Sequence, residues 1–353
     1  MTLRSYVVTR ILLTIPAILL LLSMVFLIMR VLPGDPVALH FEKKATPEAM
    51  EAMRRTLGLD KPLLVQYFEY LTGIADINYF IKFGYPNLGK SMQDFSDVGE
   101  QIFAAFPATL ELAIYSMLVA VGIGILLGVR SSQSYNSPLD HLIRGFGTVT
   151  YATPVFLLGM IFQLIFGVYL HWLPIGLRIS PRVNPPVGLN IGGVRIATGL
   201  YTIDSLLEGN IFKFVESSKC LFLPSLTLGL ILCGIFIRLT RTNMLETLRL
   251  DFITAAKARG LKKTTVVYGY ELRNAFLPIL TMMGMQFAIL LGGAILTETT
   301  FSWPGIGRYI VDRINFRDYT AIQGAIVIFG LLITLVSLVV DILYAYLDPR
   351  IRL

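Results

Sequence analysis

Six apolar runs limit what this chain can fold into: Ile11–Met29, Leu110–Val129, Phe146–Leu170, Leu223–Leu239, Ile279–Leu296 and Ala325–Leu347. Each falls within the roughly 17–25 residues that carry an α-helix across the hydrocarbon core of a bilayer. They predict an all-α membrane protein with six transmembrane helices, an even number that returns both termini to one side. Composition agrees. The chain is 55% hydrophobic and 15% charged, whereas soluble domains are nearer half apolar and about a quarter charged.

The first run follows Arg4 and Arg10. It exceeds the roughly 7–15 apolar residues of a signal peptide and has no small-residue cleavage pattern after it. Pro33 and Gly34 end it within Arg30-Val-Leu-Pro-Gly-Asp-Pro36, so a retained helix with its N-terminus in the cytoplasm is expected. Alternation then places the Arg238–Arg273 loop inside. Its eight Lys/Arg against three Asp/Glu fit the positive-inside rule.

Two segments between the runs fall on the external side in this topology. In residues 37–106, Thr46-Pro-Glu-Ala-Met-Glu51 reads as a capped helix start with Pro47 at the first helical position. Leu57–Pro62 breaks that helix, and Leu63–Leu71 reads as a second short amphipathic helix. The other segment, Pro174–Phe222, is rich in Pro and Gly near Asn184–Pro186 and Gly192-Gly193. Tyr201–Leu207 and Ile211–Val215 read as short amphipathic helices within it, separated by Gly209-Asn210. A loop this long is functional or disordered, and its hydrophobic content argues against disorder. Together the two segments are expected to form the external face of the molecule.

The net charge of +7 does not indicate nucleic acid, because the basic residues cluster beside apolar runs, where anionic lipid accounts for them. On one helix Cys220 and Cys233 would stand about 20 Å apart, too far for a disulfide. His40, His141 and His171 form no ligand pair, so no metal site is expected. A Walker lysine motif, HExxH and GxSxG in a strand-to-helix context are all missing from the sequence. Glu111 and Asp341 are ionisable groups near or within apolar runs, functional candidates by default, for which structural pairing is the favoured reading. Gly122, Gly124 and Gly128 include a GxxxG spacing suited to close helix packing, and Gly292-Gly293 interrupt the fifth run.

Between the fourth and fifth runs lies the basic segment Asp251–Gly260. Leu245, Leu248, Phe252 and Ala255 recur at helical spacing and predict one apolar face. Ala255 and Ala256 are small enough to let another protein's surface come close. Gly260 suits the left-handed conformation that ends a helix. Lys257, Arg259, Lys262 and Lys263 supply charge for a partner or for lipid headgroups. A plain interfacial helix lying on anionic lipid is the competing reading.

Ala255-Ala256, Gly260 and Leu277-Pro278 resemble the EAA loop of ABC-importer permeases. The resemblance to the dipeptide/oligopeptide/nickel branch of that family extends over nearly the whole chain. It is carried by Leu32-Pro-Gly-Asp-Pro36, Leu57-Gly-Leu-Asp-Lys-Pro62, Pro107-Ala-Thr-Leu-Glu111, Thr153-Pro154, Gly199-Leu-Tyr201 and Asp204-Ser205. Leu223-Pro224, Arg241-Thr-Asn-Met-Leu-Glu246, Glu298-Thr-Thr-Phe-Ser-Trp-Pro-Gly-Ile-Gly307 and Leu347-Asp-Pro-Arg-Ile-Arg352 extend it. Thr254 stands where many members of the wider family have Glu.

The resemblance implies the type I ABC importer transmembrane fold and a multi-pass subunit of the plasma (inner) membrane with both termini cytoplasmic. Its parts would be an N-terminal span (1–36), an external amphipathic segment (37–106), the transmembrane domain (107–347) and a cytoplasmic tail (348–353). The transmembrane domain would carry the external insert 174–222 and the cytoplasmic loop 240–277. Partners would be a second, homologous permease, two ATPases that use ATP and Mg, and an extracytoplasmic substrate-binding protein; no cofactor is expected on this chain. Thr254, Ala255, Ala256, Lys257, Gly260 and Leu261 would couple to an ATPase. Substrates in the branch include peptides, with oligosaccharides, nickel chelates and glutathione as alternatives. Glu298, Phe301, Trp303, Pro304 and Gly305 are expected to close the outer end of the path, since Trp303-Pro304 is bulky and stiff and the glycines permit a tight re-entrant turn; an interfacial tryptophan anchor is the alternative. A reading from another class is a membrane-embedded enzyme using Glu111, Glu298 or Asp341.

Overall fold

Four of the six apolar runs fold inside helices longer than themselves, while Phe146–Leu170 is bent in two and the helix carrying Ile279–Leu296 stops at Leu291. In the computed structural model, which describes residues 3–31, 37, 46–191, 194–292 and 294–347, the first run lies in α1 (Leu3–Val31). Three short helices follow: α2 (Pro47–Thr56), α3 (Leu63–Ile74) and α4 (Ile77–Phe83). Then come α5 (Val98–Gln133), α6 (Pro138–Ala152) and α7 (Val155–Phe162), whose last turns widen into a π-helix over Gln163–Tyr169. A small antiparallel hairpin, β1 (Leu189–Ile191) and β2 (Val194–Ile196), precedes α8 (Tyr201–Leu207) and α9 (Ile211–Thr247). The chain closes with α10 (Asp251–Ala258), a π-turn over Thr265–Glu271 leading into α11 (Leu272–Leu291), then α12 (Ile295–Thr300), α13 (Ile306–Asn315) and α14 (Tyr319–Leu347). The motif Leu32–Pro36, His40, Gly293 and the tail 348–353 lie outside the described residues.

Among the described residues five helices are long and apolar enough to cross a membrane, and a sixth span results if the bent pair α6–α7 counts as one. The sequence reads that third run as one span; the structure bends it by 101°. The cause is Pro154, which lacks an N–H and drives Thr153 into an extended conformation at ψ 128°. At 36 and 37 residues, α5 and α9 are each about 54 Å long and overshoot a core of about 30 Å. Ile211–Val215, expected as a separate helix, is instead the first turn of α9, started by the Asn210 side chain accepting from Lys213 N at 3.1 Å.

The core forms where α9 runs along α5. Gly124 and Gly128 permit that approach: a Cβ on them would lie 2.4 Å from Phe236 and 2.6 Å from Thr240. Gly234 does the same for α6, since its missing Cβ would fall 2.3 Å from the Gly147 carbonyl. Leu112, Ala120, Leu221, Phe236, Ile279 and Trp303 build the main apolar cluster across α5, α9 and α11. Outside it, α1 packs along α14 and exposes Leu12, Leu13 and Leu20, as a lipid-facing helix should.

The segment between α1 and α5 is tied down locally. Thr46 caps α2 as its sequence predicts, accepting from Ala49 N at 3.3 Å. Ser23 on α1 and Tyr67 on α3 share a hydrogen bond of 2.6 Å. Asp318, buried before α14, accepts from Ser91 Oγ at 2.5 Å and from the Met92 and Ala321 amides at 3.1 Å.

Candidate functional site

Helix direction sorts the functional candidates to two ends of the bundle. Residues 98–111, 174–191, 194–211 and 294–307 gather at one end; α10 stands at the other.

At the first end, the turn after α12 folds back on α5. Glu298 is fully buried and accepts from Thr109 Oγ1 at 2.8 Å and from the Arg308 amide at 3.0 Å. Thr109 in turn accepts from the Ile306 amide at 2.8 Å. Trp303, also fully buried, donates its indole N–H to the Ala108 carbonyl at 2.8 Å. Gly305 has to be glycine because any Cβ there would lie 2.4 Å from the Glu298 carboxyl. Burial pushes the Glu298 carboxyl above its ordinary range, against the pull of these hydrogen bonds.

The same region of α5 holds Glu111, whose carboxylate receives Arg178 Nε at 2.9 Å and Nη2 at 2.7 Å, and Thr202 N and Oγ1 at 2.8 Å each. Arg178 also donates to the Gly199 carbonyl at 2.6 Å and lies 3.8 Å above the Tyr201 ring. Asp204 accepts from the Thr198 and Gly199 amides at 2.7 and 2.9 Å. The Phe301 carbonyl accepts from Leu177 N at 2.9 Å. Buried polar contacts therefore fix Leu177–Arg178, Thr198–Asp204 and 298–308 onto the first half of α5.

At the opposite end, α10 is eight residues long and anchored on one side only. Ile253 and Ala256 are buried against Val266 with Leu248 beside them. Thr254, Ala255, Lys257 and Phe252 are exposed, as is Leu261. Gly260 has φ +72°, the left-handed conformation its position predicts, with open space around it. The predicted face of Leu245, Leu248, Phe252 and Ala255 is corrected here: Leu245 belongs to α9, and a break over Leu248–Leu250 interrupts the helical phase. Ala255 and Ala256 consequently point to different environments, Ala255 to the surface and Ala256 into the loop's own small core.

Of the other candidates, Glu298, Phe301, Trp303, Pro304 and Gly305 come together, but Phe301 and Trp303 are enclosed by protein. Trp303 is thus no interfacial anchor. Glu111 is structurally paired, and Asp341 forms an ion pair with Arg10 at 3.1 Å. Cys220 and Cys233 are free and buried, and among the described residues no group of three or more His, Cys, Asp and Glu could hold a metal ion. Sequence reasoning missed Arg178, Thr109 and Thr202. It also missed Asp140, buried and held bidentately by Arg241 Nε and Nη2 at 2.8 Å each. An arginine in a Pro/Gly-rich loop gives no local sign of which carboxylate it will reach.

A helical bundle of five or six candidate spans, cross-braced at one end and presenting a small helix at the other, defines a multi-pass membrane protein. The chain matches the family of binding-protein-dependent transport system inner membrane components over residues 120–353, and that family's N-terminal component over residues 3–113. It belongs to that family and is a permease subunit of an ABC importer. It is 39% identical to a dipeptide transport system permease of Alkalihalophilus pseudofirmus, across 99% of both chains. It is 35% identical to the dipeptide transport system permease of Escherichia coli K12, across 99% of this chain and 98% of that one. It is also 35% identical to a glutathione transport system permease of Salmonella typhimurium, across 99% of both.

Proposed function

We propose that this chain is one half of the translocation path of an ATP-driven peptide importer, and that α10 is its contact with an ATPase. The observation that carries the coupling assignment is the two-sided environment of α10. Ile253 and Ala256 root the helix, while Thr254, Ala255, Lys257 and Leu261 face away from the bundle and Gly260 turns the chain behind them. A small side chain at an exposed helix centre lets a partner's surface approach closely. Burial of Ala256 gives it a supporting role rather than direct contact.

In this reading the chain has six spans, with both termini and α10 in the cytoplasm. A homologous second permease completes the path. Two ATPases hydrolyse ATP with Mg as their metal ion. The parts run as a first span (1–36), an external segment (37–106), a transmembrane domain (107–347) and a tail (348–353). The binding protein docks on 37–106 and 174–222. The turn Glu298–Gly305 shapes the outer end of the path from behind, its buried Trp303 bracing the wall. The peptide assignment is supported by the dipeptide and di/tripeptide permeases to which the chain is similar. The similarity to a glutathione transport permease keeps glutathione as an alternative.

Topology is tested by labelling a cysteine placed at Asn190 in whole cells, where buried Cys220 and Cys233 give little background. Reaction with an impermeant reagent from outside is the expected result, and reaction only after permeabilisation overturns the orientation. Solute identity is tested by ligand binding to the cognate binding protein: a di- or tripeptide is expected, and binding of sugars or metal chelates alone overturns the peptide reading.

A further inference from the structure

Where α6 and α9 separate beyond their contact at Gly147 and Gly234, they leave a recess of about 500 Å³ lined by Tyr135, Arg144, Thr148, Tyr151, Arg238 and Arg241. Three guanidinium groups share this recess with one nearby carboxylate. That carboxylate, Asp140, is fully taken: Arg241 donates to both of its oxygens at 2.8 Å, and Ser131 Oγ and the Asn136 amide occupy its remaining acceptor sites. Arg241, further stacked 5.4 Å from the Tyr135 ring, is therefore a fixed wall. Among the described residues Arg144 and Arg238 have no carboxylate within ion-pair distance, and both are exposed. The recess carries an uncompensated charge of about +2, since guanidinium groups stay protonated.

Its surroundings define the missing anion. The recess lies at the α10 end of the spans, where the apolar stretch of α9 gives way at Arg238. Ile235 and Ile237 of α9 line the recess beside these cations and give it an apolar wall. Tyr135 and Tyr151, exposed by 64% and 58%, stand at its rim, the position of amphipathic aromatics at a membrane interface. A phosphodiester on acyl chains supplies negative charge and apolar surface together. Basic pockets between spans bind anionic headgroups by this combination, and guanidinium forks match phosphate oxygens bidentately.

We propose that the α6–α9 recess is a binding site for the phosphate headgroup of an anionic phospholipid, gripped by Arg144 and Arg238. The inference concerns a surface apart from α10 and holds whichever solute is transported.

The test uses the full-length chain, alone and in its assembled transporter, delipidated and titrated with cardiolipin or phosphatidylglycerol, with phosphatidylcholine as the neutral comparison, and read by native mass spectrometry. A preference of about thirtyfold for the anionic lipids is expected, the effect of two ordinary cation–headgroup attractions. In Arg144→Gln/Arg238→Gln that preference should be lost. Arg144→Lys/Arg238→Lys should retain most of it, and Arg130→Gln, also an exposed cation but outside the recess, should leave it unchanged. Equal retention by the double Gln variant overturns the site. Displacement of cardiolipin by millimolar inorganic phosphate shows a free-anion site and overturns the lipid assignment. Lipid bound to the chain alone but not to the assembled transporter shows a face covered by protein and overturns it as well.

Discussion

Replacing Arg178 with Met tests whether the buried network at the start of α5 really holds the 174–207 segment. Glu111 is 1% exposed and its carboxylate receives four donors, two of them from Arg178, its sole ion-pair partner among the described residues. The substitution removes both and leaves the charge facing only Thr202. Leaving one member of a buried ion pair uncompensated costs about 3–5 kcal/mol, a factor of roughly 10²–10⁴ in the closed-to-open equilibrium. The assay is thiol labelling of a cysteine placed at Ser205, fully buried on α8, whose reaction rate follows the population of the open segment. Arg178→Met should raise that rate by about two orders of magnitude. The double variant Glu111→Gln/Arg178→Met, which removes both charges, should return it at least about tenfold toward the starting value. A single variant that labels within about threefold of the parent refutes the reasoning, because the network would then be ornament rather than brace.

Further outcomes follow from the same geometry. Ala255→Glu should leave the chain folded and abolish co-purification of the ATPase, whereas Ala256→Glu, which forces a charge against Ile253 and Val266, should cost several kcal/mol and unfold the loop itself; protease resistance of residues 248–264 separates the two. Gly260→Val meets open space but a φ of +72°, so it should cost only about 1–2 kcal/mol and reduce uptake more than assembly, with Lys257→Ala the mildest of the set. Trp303→Ala removes a fully buried indole and its hydrogen bond to Ala108, a loss of about 3–5 kcal/mol, and should raise basal ATP hydrolysis in the reconstituted transporter. Since burial raises the Glu298 pKa in the folded state, the folded turn holds its proton more tightly than an opened one. Its stability should be full below the ordinary glutamate range and fall as pH rises through the raised value, a dependence that Glu298→Gln should flatten in hydrogen exchange of residues 298–307.

Much of the bundle was legible because a bilayer demands long apolar runs, and such runs stand out in sequence. The Thr46 cap, the Leu57–Pro62 break and the left-handed Gly260 were readable for local reasons: each depends on residues within one or two turns. The extension of α5 and α9 beyond their apolar parts was not, because their polar ends are held by tertiary contacts such as Asp140 with Arg241. The bend at Thr153-Pro154 had a visible cause, yet apolar length alone masked it. At α10 the helical phase was carried across a break that has no Gly or Pro to announce it, which turned Ala256 the wrong way. Arg178 and Glu111 are 67 positions apart, and nothing in either neighbourhood names the other.

The central claim, that this permease receives ATPase work through the exposed face of α10, is tested most directly by peptide uptake into proteoliposomes holding the complete transporter. Labelled dipeptide, binding protein and ATP are supplied, and uptake and ATPase stoichiometry are measured for the parent and for Ala255→Glu. The account predicts ATP-dependent uptake by the parent, and loss of both uptake and bound ATPase in a variant whose membrane insertion and pairing with the second permease are intact. Normal uptake with stoichiometric ATPase in Ala255→Glu would contradict it and leave α10 as a helix resting on lipid.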